Sequence, residues 1–151
     1  MRLRHGATVR VVGFSTTELD ERVQMTERGR VLVVDDDADI RELVAIVVGQ
    51  LGVDVLQAGD GLTALELARR ESPHLVTLDL GLPDIDGIET CRRLREFSDA
   101  YVLILTAREE RADREVGSES GADQFMSKPF APKQLRATVR EALGARGIDL
   151  A

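Results

Sequence analysis

Five short apolar runs, set at intervals along the chain with helical patterns between them, constrain this sequence more than any other feature. The runs lie at 31–34, 53–57, 75–78, 101–105 and 124–127. Two of them, Val31-Leu32-Val33-Val34 and Tyr101-Val102-Leu103-Ile104-Leu105, are almost purely apolar. Runs this short and this continuous read as buried strands. The stretches between them, roughly 38–51, 61–71, 86–97, 109–119 and 131–143, read as helices. In the first, Ile40, Leu43, Val44 and Val47 recur at helical spacing. Strands alternating with helices imply parallel strands joined by right-handed crossovers. The punctuation agrees. Asp37 and Asp60 stand where N-caps of the first two helices belong, Gly52 and Gly121 where helices end, and Pro73 just before the third strand.

Length and composition set limits on this picture. The chain has 151 residues, room for one domain with a single core. Aromatic residues make up 3%, so the core must be built from Leu, Val, Ile and Ala. The formal net charge of -7 argues against general nucleic-acid affinity through a basic surface. A single cysteine, Cys91, excludes an intrachain disulfide and fits a reducing cytoplasm. No apolar stretch approaches the ~20 residues that span a bilayer. Residues 1–28 show no sustained period and read as an irregular extension that is no signal peptide, since no apolar segment follows Arg2 and Arg4. The regular pattern fills 29–144, and 145–151 read as a flexible tail. Met25 is a natural start for the domain, so residues 1–24 are expected to be dispensable.

Polar residues follow the apolar runs. Asp35 and Asp36 follow the first strand, Asp79 the third, Thr106 the fourth and Lys128 the fifth. In an open parallel sheet, ligands sit in the crevice at the carboxyl ends of the strands. These five side chains should therefore converge. Three carboxylates, a hydroxyl and an ammonium suit a divalent cation and a phosphoryl group. Adjacent carboxylates repel unless a cation lies between them, and Mg²⁺ prefers oxygen ligands. A carboxylate can also attack phosphorus and form an acyl phosphate.

The segments VLVVDDDADIRELV, VTLDLGLPDIDG, ILTA and GADQFMSKPF, in this order, resemble the response-regulator receiver domain, the phospho-acceptor module of two-component signalling. The resemblance spans roughly Arg30 to Leu143. It implies an α/β fold of flavodoxin-like type, a doubly wound five-stranded parallel sheet of order 2-1-3-4-5 with five helices. It implies that Asp79 accepts the phosphoryl group and that Thr106 and Lys128 bind its oxygens. It implies Mg²⁺ held by Asp36, Asp79 and the backbone carbonyl of Gly81, with Asp35 acting largely through water. It implies a cis Lys128–Pro129 bond, and a switch in which Thr106 and Phe125 move on phosphorylation. The implied partners are a histidine kinase or histidine phosphotransfer protein and a downstream protein target, with cytoplasmic location, no membrane, and no nucleic-acid contact by this chain.

Other residues have plainer readings. Asp37, Asp84 and Asp86 read as turn and cap residues. His5 and His74 lack the helical setting of a phosphotransfer histidine. Cys91 reads as a small core or surface residue. The phosphorylation-dependent dimer of winged-helix regulators is less well supported, because Glu115, Ser118, Gln124 and Thr138 replace residues common on that surface. A second reading keeps the receiver as part of a longer DNA-binding regulator. An aspartyl-phosphate phosphohydrolase would carry an Asp two residues after the nucleophile, where this chain has Gly81. A flavodoxin-like cofactor binder would need a Ser, Thr and Gly loop where Asp35-Asp36-Asp37 would repel phosphate.

Overall fold

A computed structural model describes residues 28–107, 119–148 and 150. Five strands, β1 (Arg30–Val34), β2 (Asp54–Ala58), β3 (Leu75–Leu78), β4 (Tyr101–Thr106) and β5 (Gln124–Ser127), form one sheet. All neighbours pair in parallel, in the order β2-β1-β3-β4-β5. Four helices are seen among the described residues: α1 (Ala38–Gly49), α2 (Gly61–Glu71), α3 (Gly87–Arg95) and α4 (Pro132–Ala145). These match four of the five expected helices within a few residues. The remaining one, 109–119, lies outside the described residues except for Glu119, as do residues 1–27 and their expected irregularity.

The sheet is covered on both faces because its strands are apolar on both faces. Val31 and Val33 point into one core with Val44, Val47 and Val48 of α1 and Leu135, Val139 and Leu143 of α4. Leu32 and Val34 point into a second core with Ala64 and Ala68 of α2 and Ile88, Cys91 and Leu94 of α3. Each such Leu or Val, fully buried, stabilises the fold by about 1.5–3 kcal/mol. No aromatic side chain is among the fully buried core residues described, as the composition demands. Cys91 is one of the core residues, completely buried.

The helices start where carboxylates can receive their first N–H groups. Asp37 accepts from Asp39 and Ile40, Asp60 from Thr63, and Asp86 from Glu89. α4 has no side-chain cap and begins with Pro132 instead. Gly52 and Gly121 both take positive φ, 80° and 102°, as terminating glycines do. Residues 145–151, read from composition as a flexible tail, are tied down in part. α4 runs to Ala145, the Ile148 N–H bonds to the Leu143 carbonyl, and Ile148 and Leu150 pack on the α1–α4 core.

Candidate functional site: an acidic cluster at the carboxyl edge of the sheet

β3 lies beside β1, and β5 stands beyond β3 with β4 between them, so their C-terminal ends bring Asp35, Asp36, Asp79 and Lys128 to one edge of the sheet. Carboxylate oxygens of Asp35, Asp36 and Asp79 all lie within 4.8 Å of one another. The Lys128 ammonium reaches Asp35 Oδ2 at 2.7 Å and Asp79 Oδ1 at 3.3 Å. Lys128 arrives there from β5, with its N–H bonded to the Thr106 carbonyl and a cis peptide to Pro129.

The three carboxylates differ in how they are engaged. Asp35 is buried, and besides Lys128 it accepts the Asp37 N–H at Oδ1 (2.9 Å). Asp36 is exposed and, among the described residues, makes no hydrogen bond or ion pair. Asp79 is half-buried and accepts the Gly81 N–H at Oδ2 (3.2 Å). Burial pushes the Asp79 carboxyl above its ordinary range; Lys128 pulls it down, and Asp35 and Asp36 push it further up, leaving it raised. Burial alone would pull the Lys128 ammonium down, but its hydrogen bond to Asp35 and the charge of Asp79 more than reverse this, so it is raised as well. Three carboxylates face one ammonium. The cluster carries uncompensated negative charge, and its donors are all oxygens. That donor set fits a hard divalent cation such as Mg²⁺.

Thr106 ends β4, buried, and pairs in register with Ser127. Phe125 sits two residues earlier on β5, opposite Ile104, and is partly buried against the α2–α3 core. It lies in the sheet behind the cluster, with no direct part in it. Asp84 and Asp86 are cap residues as expected: Asp86 caps α3, and Asp84 receives two N–H groups from the start of α2. His74 accepts the Arg30 N–H at Nδ1 (3.0 Å), a structural role. Sequence reading missed Arg41, whose Nη1 donates to the Asp35 carbonyl at 2.9 Å while Nε bonds to Gln57. An Arg one turn into the helix after an acidic loop is the signal that could have found it.

The comparisons with known proteins agree with this geometry. The family described as the response regulator receiver domain matches residues 31–140, and the chain belongs to that family. It is 48% identical over 118 residues to the DNA-binding response regulator MtrA of Mycobacterium tuberculosis (strain ATCC 25618 / H37Rv), a match covering 78% of this chain and 52% of that protein. It is 42% identical over 125 residues to the probable transcriptional regulator ycf27 of Porphyridium aerugineum, covering 83% and 51%. The chain thus spans about half the length of the curated relatives it matches. Among solved structures it is similar to the BeF3-activated DrrB receiver domain, with TM-score 0.72 and 35% identity over 78% of this chain and 98% of that one. It is also similar to the chemotaxis protein CheY4 of Vibrio cholerae, with TM-score 0.73 and 28% identity over 77% and 99%. The flavodoxin-like fold and the receiver class expected from sequence both hold, and the chain is a module of two-component signalling.

Proposed function

We propose that this chain accepts a phosphoryl group on Asp79 from a phosphorylated histidine of a kinase or phosphotransfer protein. The observation that carries this is the Asp79 carboxylate, set in a cluster with one ammonium and an excess of negative charge. In the transfer, a carboxylate oxygen of Asp79 forms a bond to phosphorus as the phosphorus–nitrogen bond of the donor histidine breaks. The histidine nitrogen keeps the electron pair. Asp36, Asp79 and the Gly81 carbonyl would hold Mg²⁺, which when bound offsets the charge of the carboxylates and phosphoryl oxygens. Lys128 supplies a fixed cation for those oxygens, and Asp35 holds Lys128 in place. The Thr106 hydroxyl donates to the phosphoryl group once it is attached. Phe125 then repacks inward, a two-state change biased by new charge. The reaction is a signalling event, with slow self-dephosphorylation as the only turnover.

An apolar cavity of about 290 Å³ beside Lys128 supports a protein donor. Ile40, Leu43, Ala107, Pro129 and Phe130 line it, and Leu43 is 42% exposed. Such a surface next to the acceptor suits the apolar face of a partner helix. The receiver class and the single cysteine support a cytoplasmic location, and no helix among the described residues is long and apolar enough to cross a membrane. A phosphorylation-dependent dimer would add a further contact surface. The output is a downstream protein target, with no nucleic-acid contact by this chain. A second reading, a receiver within a longer DNA-binding regulator, is favoured by one observation: the chain matches 52% of a protein described as a DNA-binding response regulator.

The test is intact-mass measurement after treatment with a small acyl phosphate and Mg²⁺. The unaltered chain should gain one phosphoryl group, and Asp79→Asn none. Amide exchange of the labelled form should change across residues 106–128. Equal labelling of the variant would overturn the assignment, and an unchanged exchange profile would reject the switch.

A further inference from the structure

The loop that follows the acceptor strand is held from outside by a neighbouring helix. Residues 79–87 leave β3 and enter α3, and the loop is closed by a bond from the Gly87 N–H to the Leu80 carbonyl (3.0 Å). Gly81 lies in this loop. Past it stands Asp84, whose Oδ1 accepts the Gly61 N–H and whose Oδ2 accepts the Leu62 N–H, both at 2.8 Å. These are first-turn donors of α2, which no carbonyl within the helix can reach. The positive end of the helix dipole also favours a carboxylate there.

Two bare Cα atoms make the fit tight. A Cβ at Gly61 would lie 2.5 Å from both Ile85 Cγ1 and Thr90 Oγ1. A Cβ at Gly87 would lie 2.3 Å from the Asp79 carbonyl oxygen. The loop is therefore seated between the starts of α2 and α3, and Asp84 is its polar tether to α2. The helix does not depend on Asp84 for a cap. Its own Asp60 receives the Thr63 N–H at 2.7 Å. Of the two donors that Asp84 takes, the Leu62 N–H is exposed and the Gly61 N–H is part-buried. What Asp84 adds is a fixed loop. Both its oxygens bond to α2, and it is not one of the three carboxylates gathered at the cluster.

We propose that Asp84 is a positioning residue for the cation site: its two-pronged hold on α2 fixes the loop carrying Gly81, whose N–H bonds to Asp79 and whose carbonyl is a ligand in the cation reading. The proposal rests on the cation reading given above. Without the hold, the loop must be ordered when the cation binds, and that entropy is lost from the affinity. Residues that orient metal ligands commonly cost 10–100-fold in affinity when removed, and Asp84→Ala should cost roughly tenfold.

The experiment titrates Mg²⁺ into the full chain and follows amide chemical shifts and melting temperature. It compares the unaltered protein with Asp84→Ala, Asp84→Asn and Asp60→Ala. Asp60→Ala weakens the same helix from its own side, so it reports what a merely structural loss does. Both alanine variants should melt earlier, but only Asp84→Ala should bind Mg²⁺ roughly tenfold more weakly. Asp84→Asn keeps one acceptor oxygen and should fall between. In acyl-phosphate labelling, Asp84→Ala should need more Mg²⁺ for half-maximal rate yet reach the same plateau. A Mg²⁺ affinity within twofold of the unaltered protein, or an equal loss in Asp60→Ala, would overturn the proposal. No Mg²⁺ response in the unaltered protein would sink the cation reading itself and the proposal with it, a pattern distinct from failure of Asp84 alone.

Discussion

The two ends of the sheet bury charge in opposite ways. Where the strands begin, Arg30 is buried and donates from Nε and Nη2 to the Glu71 and Ser72 carbonyls. These are end carbonyls of α2, which lack partners within the helix. Arg95, at the same end, donates to the carbonyls of Gly121, Ser98 and Ala100 and pairs with Asp123 at 2.8 Å. Each cation there meets neutral acceptors or one matching carboxylate. Where the strands finish, three carboxylates meet one ammonium. A buried charge is thus no mark of a site by itself. The mark is charge that its neighbours leave unbalanced, because such an arrangement opposes folding until a ligand offsets it.

The strongest way to break the comparison is to remove a cation from the balanced end. Arg95→Ala strips donors from three backbone carbonyls and leaves Asp123 with the Val102 N–H but no cation. The expected loss of stability is about 2–4 kcal/mol, read by chemical denaturation. Mg²⁺ affinity and phosphoryl labelling should not change. A parallel loss of Mg²⁺ affinity would show that the two ends are not independent.

A smaller effect, of opposite sign, is expected at the acidic end. Asp79→Asn should raise the melting temperature of the metal-free protein at neutral pH. Burial, with Asp35 and Asp36 behind it, raises the Asp79 carboxyl against the pull of Lys128. A carboxyl whose folded pKa is raised opposes folding when ionised. That penalty is absent below the ordinary value of 3.8 and grows as pH rises through the folded value. The advantage of Asp79→Asn should therefore shrink as pH falls toward 4 and vanish below it. A melting temperature that drops at neutral pH would mean that Lys128 already balances Asp79.

Much of this was legible in the chain because the sheet is buried on both faces. Continuous runs such as Val31–Val34 leave a strand few alternatives, and side chains that follow such strands must meet at one edge. That reasoning put Asp35, Asp36, Asp79 and Lys128 at one edge, where the structure gathers them, and Thr106 at the end of β4. It failed where contacts depend on how a loop folds back. Asp84 read as a turn or cap residue, but nothing local in the sequence shows that the helix it caps is the distant α2, through Gly61 and Leu62 more than twenty positions earlier. Arg41 was missed for the same reason, since its reach to the Asp35 carbonyl depends on the angle at which α1 leaves β1. The C-terminal stretch misled by composition. Gly144 and Gly147 suggest fraying, but Ile148 and Leu150 find apolar partners in the α1–α4 core.

The central claim is that charge at the carboxyl edge of the sheet is left unbalanced for a cation to complete. A melting scan of the metal-free chain against rising Mg²⁺ at neutral pH tests it most directly. A ligand that binds only the folded state stabilises it by about 2.7 kcal/mol at a hundred times its dissociation constant. The melting temperature should rise steadily once Mg²⁺ passes the millimolar range, should rise equally in Arg95→Ala, and should rise far less in Asp79→Asn. A flat curve for the unaltered protein, or an undiminished rise in Asp79→Asn, would contradict the account.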